Sequence, residues 1–403
     1  MITFLDYIYK GIGGVGQLVV NVTLELNRRG FKSKAYCSTE SYEYQRLSEL
    51  GAGFVHIDSD KVSLSDLRKY LEPDDVLFLT HIDNTPLLER VKSINNRIIF
   101  YSVVPDTFFC YGIHMNWICN QKQAALNFIN VLYQNDALYF MDGPNVKAVY
   151  DKGGDRLGDV QFLPVPVKSY IQKTREANPS KELNITYLGR GNSDWKVYPV
   201  VKILEDLNQS GVAAKLTVIT DINDMYQQMI HDYIPNNTIQ IDYINNLYGE
   251  SLDEYLFNNS SLHIAMGTSA LEGAVLGVPT ILIDYSKQKF PDHYLYRWLF
   301  ECKDYCLGGE VVDGILPYTE GKTLDRIIDE ISNDEEYRNI SKKCLNYVNE
   351  NHSICRFVDI IINAIERTTM TTQMYCSTRF SKNMRYIKPL LNLASKIKHL
   401  NFK

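Results

Sequence analysis

The sequence predicts an α/β protein built of two Rossmann-like parallel-sheet domains, and three observations lead there. The chain has 403 residues, well beyond one mononucleotide-binding fold. Short apolar runs alternate with longer amphipathic stretches, the pattern of βαβ units. That alternation stops once, at Pro164-Val165-Pro166-Val167 and the polar stretch behind it, and then restarts.

Residues 2–5, 33–37, 54–57, 76–80, 97–103, 137–141 and 160–163 read as strands of a first domain over 1–165. Between the first two lies an amphipathic segment over 17–29, with apolar residues at 18, 19, 22, 24 and 26. A linker is expected over 166–182. Residues 184–188, 215–219, 239–241, 263–265 and 280–283 read as strands of a second domain over 183–367, which closes with one helix over 334–367.

A basic tail over 368–403 follows. Between Cys376 and Lys403 there are seven Lys and Arg residues and no Asp or Glu. Ile387, Leu390, Leu391, Ala394 and Ile397 fall at helical spacing among them, which suits either an anionic membrane surface or a helix packed on a domain.

Composition narrows the classes. With 45% hydrophobic and 22% charged residues and a net charge of -6, the chain reads as an ordinary globular protein, and nothing calls for a nucleic-acid partner. Eight scattered cysteines form no Cys-x-x-Cys pair, so reduced thiols in the cytoplasm are expected. The first residues lack the basic and apolar regions of a signal peptide, and no apolar run reaches membrane-spanning length. Localisation is therefore expected to be cytoplasmic, or peripheral on the cytoplasmic membrane face through the tail.

Gly11-Ile-Gly13-Gly14-Val-Gly16 sits between the first strand and its helix. Such a turn brings backbone amides close to phosphates or hydroxyls, and it equally suits any tight strand-to-helix turn. A nicotinamide site would also need an acid at the end of the second strand, where Glu40 lies behind Ser38 and Thr39. A nicotinamide-dependent oxidoreductase thus stays open as an alternative.

In the second half, a strand ends in Gly189-Arg190, and Trp195-Lys196 enters a helix. A guanidinium and an ammonium at a strand's C-terminal end can neutralise a diphosphate, and they can also be solvated surface cations. Further on, Gly267-Thr268-Ser269 makes a turn and a helix start whose amides can hold phosphate, with Glu272 one turn in, placed for ribose hydroxyls. Ser269-x-x-Glu272 also reads as a capping box, with Gly273 and Gly277 allowing close packing and a helix stop.

At these residues the chain resembles the GT-B glycosyltransferases, in particular the family-4-like enzymes of polysaccharide and cell-envelope synthesis. The matching elements are Gly13-Gly14, Gly189-Arg190 with Lys196, and Leu271-Glu272-Gly273 with Gly277-Val278-Pro279. The resemblance implies two Rossmann-like domains facing a cleft, the first for the acceptor and the second for the donor. It implies transfer of a sugar from a nucleoside-diphosphate sugar to a saccharide or lipid-linked acceptor, with retention and without a metal or other cofactor. Arg190 and Lys196 would hold the donor diphosphate, Glu272 the ribose, and Thr268 and Ser269 phosphate oxygens.

Two departures stand out. The family's carboxylate eight positions before the helix Glu is here Ile264, and its first-domain catalytic His is missing from Tyr101-Ser-Val-Val-Pro-Asp106. His81 and Asp106, at the ends of adjacent predicted strands, are the nearest polar candidates for catalysis, although either also suits a structural strand end or turn. A non-catalytic sugar-binding protein of the same fold is the second alternative.

Overall fold

The computed structural model describes residues 1–5, 14–109, 120–168, 183–189, 191, 194–220 and 224–387. It divides into two units: Met1–Pro166 together with the chain from Ile354 on, and Val167–Ser353.

The first unit holds a sheet of β1 (Ile2–Leu5), β2 (Ser33–Cys37), β3 (Val55–Asp58), β4 (Val76–Leu79), β5 (Arg97–Ser102) and β6 (Leu138–Phe140). Its order is β3-β2-β1-β4-β5-β6, and every pairing is parallel. The order reverses between β1 and β4, which makes the C-terminal ends of those two strands the switch point where ligands of such sheets sit. The strands are apolar on both faces because both are covered. On β4, Val76 and Phe78 join Leu18, Val22 and Leu26 of α1 (Gly14–Arg28), whereas Leu77 and Leu79 join Phe128 and Leu132 of a helix over Gln121–Gln134.

The second unit repeats the plan. Its strands are β7 (Leu183–Leu188), β8 (Ala214–Thr220), β9 (Gln240–Asn245), β10 (Leu262–Ala265), β11 (Thr280–Leu282), β12 (Tyr285–Ser286), β13 (Arg297–Trp298) and β14 (Glu310–Val311). The main sheet runs β13-β11-β10-β7-β8-β9, parallel except for β13, and β12 pairs with β14 in a separate ribbon. Read from β9, this is the order of the first sheet with one edge strand inverted. Here the reversal falls between β7 and β10.

Three expectations are corrected. The strand expected over 160–163 is reduced to a single bridge between Phe140 and Phe162, because Pro164 and Pro166 have no N–H to carry a ladder on. The single helix expected over 334–367 is two, Asp334–Asn351 and Ile354–Arg367. Between them the His352 carbonyl accepts from Val167 N–H at 2.8 Å and Ser353 bridges Val167, so the chain is extended there. The helix over Ile354–Arg367 also belongs to the first unit, not the second: Phe357, Val358 and Ile361 pack beside α1, and Arg29 reaches across to Asp359 at 2.5 Å.

The third correction concerns the tail, which does not begin as a separate segment at 368. Phe380 stacks on Phe128 with centroids 4.9 Å apart, and Met384 and Ile387 are buried. Arg385 Nε donates to Glu89 at 2.6 Å. The domain-packed alternative therefore describes the chain as far as 387, and the membrane-surface expectation for 388–403 lies outside the described residues. Among the described residues no helix is long and apolar enough to cross a membrane.

Candidate functional site

At the second unit's switch point, β7 runs into Gly189 and its neighbour β10 into Met266-Gly267, with Leu188 in register with Ala265. Gly189 is pressed on Tyr187: a Cβ there would lie 2.7 Å from the phenol oxygen. Gly267 has φ 61° and ψ -144°, a backbone that only glycine adopts readily, and its N–H donates to Leu307 O at 2.7 Å. Lys196 comes to this edge from sequence 70 residues away. Its ammonium stands 3.0 Å from Met266 Sδ and 4.1 Å above the Trp195 ring, and its carbonyl accepts from Tyr226 OH at 3.2 Å. Arg190 lies outside the described residues, so its half of the expected cation pair is not placed.

The helix that follows β10, over Thr268–Ala274, has Gly267 at its N-cap and no side-chain cap. Ser269 is therefore inside the first turn, and the capping-box alternative is not the arrangement found. Glu272 is partly buried. Desolvation, followed by the nearby charge of Asp253, raises its carboxyl to about 7, while Lys168 acts the other way. A carboxylate held this close to neutrality is poised to gain from hydroxyl donors, which stabilise its charged form.

Beneath that turn lies a residue the sequence did not single out. His263, buried in β10, faces Ser269 O through Nε2 at 2.9 Å and Thr186 Oγ1 through Nδ1 at 3.0 Å. A carbonyl only accepts, so Nε2 carries the proton and Nδ1 accepts from the threonine hydroxyl, an assignment made from the partners. Burial pushes the imidazole down to about 4, so it stays neutral and fixes the first turn of the helix by hydrogen bonding. A Cβ on Gly273 would lie 2.4 Å from His263 Cδ2, so the helix comes this close only because residue 273 is glycine. Gly277, at φ 73°, ends the segment as a helix stop.

In the first unit, Gly13 is outside the described residues, and Gly14 opens α1 with nothing within 4 Å of an added Cβ. Gly16 has a packing role, since its Cβ would be 3.0 Å from Glu43 Oε2. Glu40 is exposed in a turn past β2, its N–H bonded to Ser38 Oγ at 3.1 Å, while the Ser38 hydroxyl pairs with Asp60. The acid that a nicotinamide ribose requires is thus not at the strand end, and the oxidoreductase alternative loses its second element.

His81 follows β4 at the first sheet's switch point and precedes a turn over Ile82–Asn84, whose Asn84 donates to the last carbonyl of β1, Leu5 O. Burial lowers the His81 pKa against the pull of Asp83, which leaves a neutral imidazole near pH 7. Asp106 is half-exposed at φ 62°, four residues past β5 and 3.6 Å from Lys152 Nζ. Its carbonyl accepts from Phe109 N–H at 2.7 Å, which gives it a turn's geometry.

No family model and no curated protein sequence matches the chain. Solved structures do. It is similar to HepE from Anabaena, crystallised with UDP and glucose, at 10% identity over 91% of this chain and 99% of that one, with a TM-score of 0.59. A glycosyltransferase from Rickettsia africae gives 11% identity over 91% and 97%, with a TM-score of 0.61. A TarM variant from S. aureus, crystallised with fondaparinux, α-GlcNAc-glycerol and UDP, gives 9% identity over 91% and 99%, with a TM-score of 0.55. With two doubly wound sheets, the second carrying glycine turns at its switch point, the chain has the fold of the GT-B glycosyltransferases.

Proposed function

We propose that the chain is a glycosyltransferase whose second unit binds the diphosphate and ribose of a nucleoside-diphosphate sugar. The observation that carries this is the meeting of Lys196 with the Met266-Gly267 turn at the end of β10, beside the end of β7. The C-terminal edge of a doubly wound sheet is where its ligands bind, and a fixed ammonium there suits a diphosphate. UDP in the HepE and TarM crystals supports the same ligand class.

In this reading an acceptor hydroxyl oxygen bonds to the anomeric carbon as the bond from that carbon to the diphosphate oxygen breaks. Lys196, with Arg190, neutralises the charge arriving on the departing nucleoside diphosphate, work a metal ion does elsewhere. Thr268 and Ser269 offer first-turn amides to phosphate oxygens, and Glu272 accepts from the ribose hydroxyls. His81, neutral, is the candidate acceptor of the hydroxyl's proton. The resemblance adds retention of anomeric configuration and a saccharide or lipid-linked acceptor in polysaccharide or cell-envelope synthesis, and the basic residues over 388–403 suit contact with an anionic membrane surface.

The test is a thermal-shift and calorimetric screen of the full chain with UDP and GDP, followed by product analysis from their sugar conjugates by NMR. If a double Arg190→Ala, Lys196→Ala variant binds UDP and GDP as well as the native chain does, the site is elsewhere. If nucleotide binds without transfer or hydrolysis of any donor, the non-catalytic alternative holds.

Glu272 gives a prediction with two readouts. Ribose hydroxyls donate to its charged form, so nucleotide affinity falls as pH drops through about 7. Glu272→Gln weakens binding at pH 8 about tenfold or more, the loss of hydrogen bonds to a charged group, and flattens that pH dependence. Stability moves oppositely. The folded pKa lies above the ordinary value, so this group's contribution to stability is fully present below about 4.5 and is lost as pH rises towards 7. Glu272→Gln therefore raises the melting temperature at pH 8 and leaves it unchanged at pH 4.5; an equal change at both would refute the assignment.

A further inference from the structure

Beside Lys196 the second unit carries a group of side chains that the diphosphate site does not use. Trp195, whose face receives the Lys196 ammonium, stands 5.2 Å from the Tyr285 ring, tilted by 58°. Tyr285 is the register partner of Glu310 in the β12–β14 ribbon, and its hydroxyl donates to Glu310 Oε2 at 3.4 Å. Lys287 holds the other carboxylate oxygen at 2.8 Å. Two partly exposed aromatic rings and a charged carboxylate thus lie in series, starting at the cation proposed to face the phosphates.

The ribbon is tied to the same sheet edge. Gly267 N–H donates to Leu307 O at 2.7 Å, Gly309 N–H to Asp284 Oδ1 at 2.7 Å, and Tyr285 N–H to Gly309 O at 2.9 Å. A Cβ on Gly308 would lie 3.1 Å from both Ile283 O and Met266 Cβ, and its φ of 135° already calls for glycine. Asp284, buried at the end of β11, also accepts from Tyr294 OH at 3.0 Å. The segment over 307–310 is therefore laid across the ends of β10 and β11, which sets Glu310 next to the turn that carries the donor site.

The C–H faces of a pyranose stack on aromatic rings and its hydroxyls donate to carboxylates, so this group has the chemistry of a sugar subsite. We propose that Trp195, Tyr285 and Glu310 form the subsite for the transferred sugar, with Glu310 reading its hydroxyls. This rests on the glycosyltransferase reading of the same edge.

The test compares dissociation constants for UDP and UDP-glucose, and for GDP and GDP-mannose, in the full chain and in Glu310→Gln and Tyr285→Ala. For whichever pair binds, Glu310→Gln leaves the nucleoside diphosphate within about twofold and shifts the ratio of the two constants about tenfold, the loss of a hydrogen bond to a charged group. Glu310→Asp restores part of that ratio. A ratio unchanged in Glu310→Gln overturns the subsite, as do two constants that weaken together, which would mark Glu310 as structural. Failure of the native chain to bind any of the four ligands overturns the donor reading and this one with it, whereas loss of the ratio effect alone leaves the donor reading standing.

Discussion

Lys196→Ala lowers the turnover of sugar transfer about 100- to 1000-fold, the range for removing one preorganised charge from a reacting centre. The native ammonium is fixed before any ligand arrives, by the Trp195 ring at 4.1 Å and Met266 Sδ at 3.0 Å, while Tyr226 OH donates to the carbonyl of Lys196 and holds its backbone. It therefore acts without reorganisation as charge builds on the departing diphosphate. That charge grows between ground state and transition state, so kcat falls more than nucleotide affinity does. Lys196→Arg keeps the charge but not the compact ammonium against Met266, and recovers only part of the rate. Rapid-quench measurement of nucleoside diphosphate release checks this. A variant that loses affinity alone, with turnover intact, would show Lys196 to be a ground-state anchor.

Much of this site was legible because glycine and charge leave strong marks in sequence. Gly267, Gly273 and Gly277 were expected at a turn, a close packing contact and a helix stop, and each is explained by a clash or a left-handed backbone; Gly189, expected only at a strand end, is explained by a clash with Tyr187, two residues before it. The positions of most main-sheet strands along the chain followed from apolar runs, since parallel strands buried on both faces are written as such, whereas their order within each sheet did not. What was not legible depends on pairing between distant segments. His263 reads as a stray polar residue in a strand until Thr186 and Ser269 are brought to its two nitrogens. Glu310 reads as a loop acid until the ribbon places it beside Tyr285.

The helix over 334–367 was misread for a related reason. Its apolar spacing stops at Val348 and resumes at Ile354, and the polar stretch 349–353 between them ends the first helix where His352 and Ser353 pair with Val167. Ile354–Arg367 then buries its apolar face on the first sheet rather than the second. Amphipathic periodicity shows that a face is buried but carries no information on which sheet buries it.

Gly273→Ala is the substitution expected to cost the most stability in the second unit for the fewest added atoms. The new methyl would meet His263 at 2.4 Å from Cδ2 and 2.7 Å from Cγ. That ring cannot swing aside without breaking its bonds to Ser269 O or Thr186 Oγ1. Overpacking of this kind costs about 1–3 kcal/mol, and loss of one buried hydrogen bond about 1 kcal/mol more. For a unit near 200 residues, about 3 kcal/mol lowers the melting temperature by about 6–12 °C. Gly14→Ala, where an added Cβ meets nothing within 4 Å, is the matched control and leaves the melting temperature nearly unchanged. The double variant Gly273→Ala, His263→Ala recovers part of the loss, because the clash is removed with the ring. It does not recover nucleotide affinity, since the first turn of the helix over Thr268–Ala274 is then no longer held from below; recovery of both together would mean that His263 only fills space.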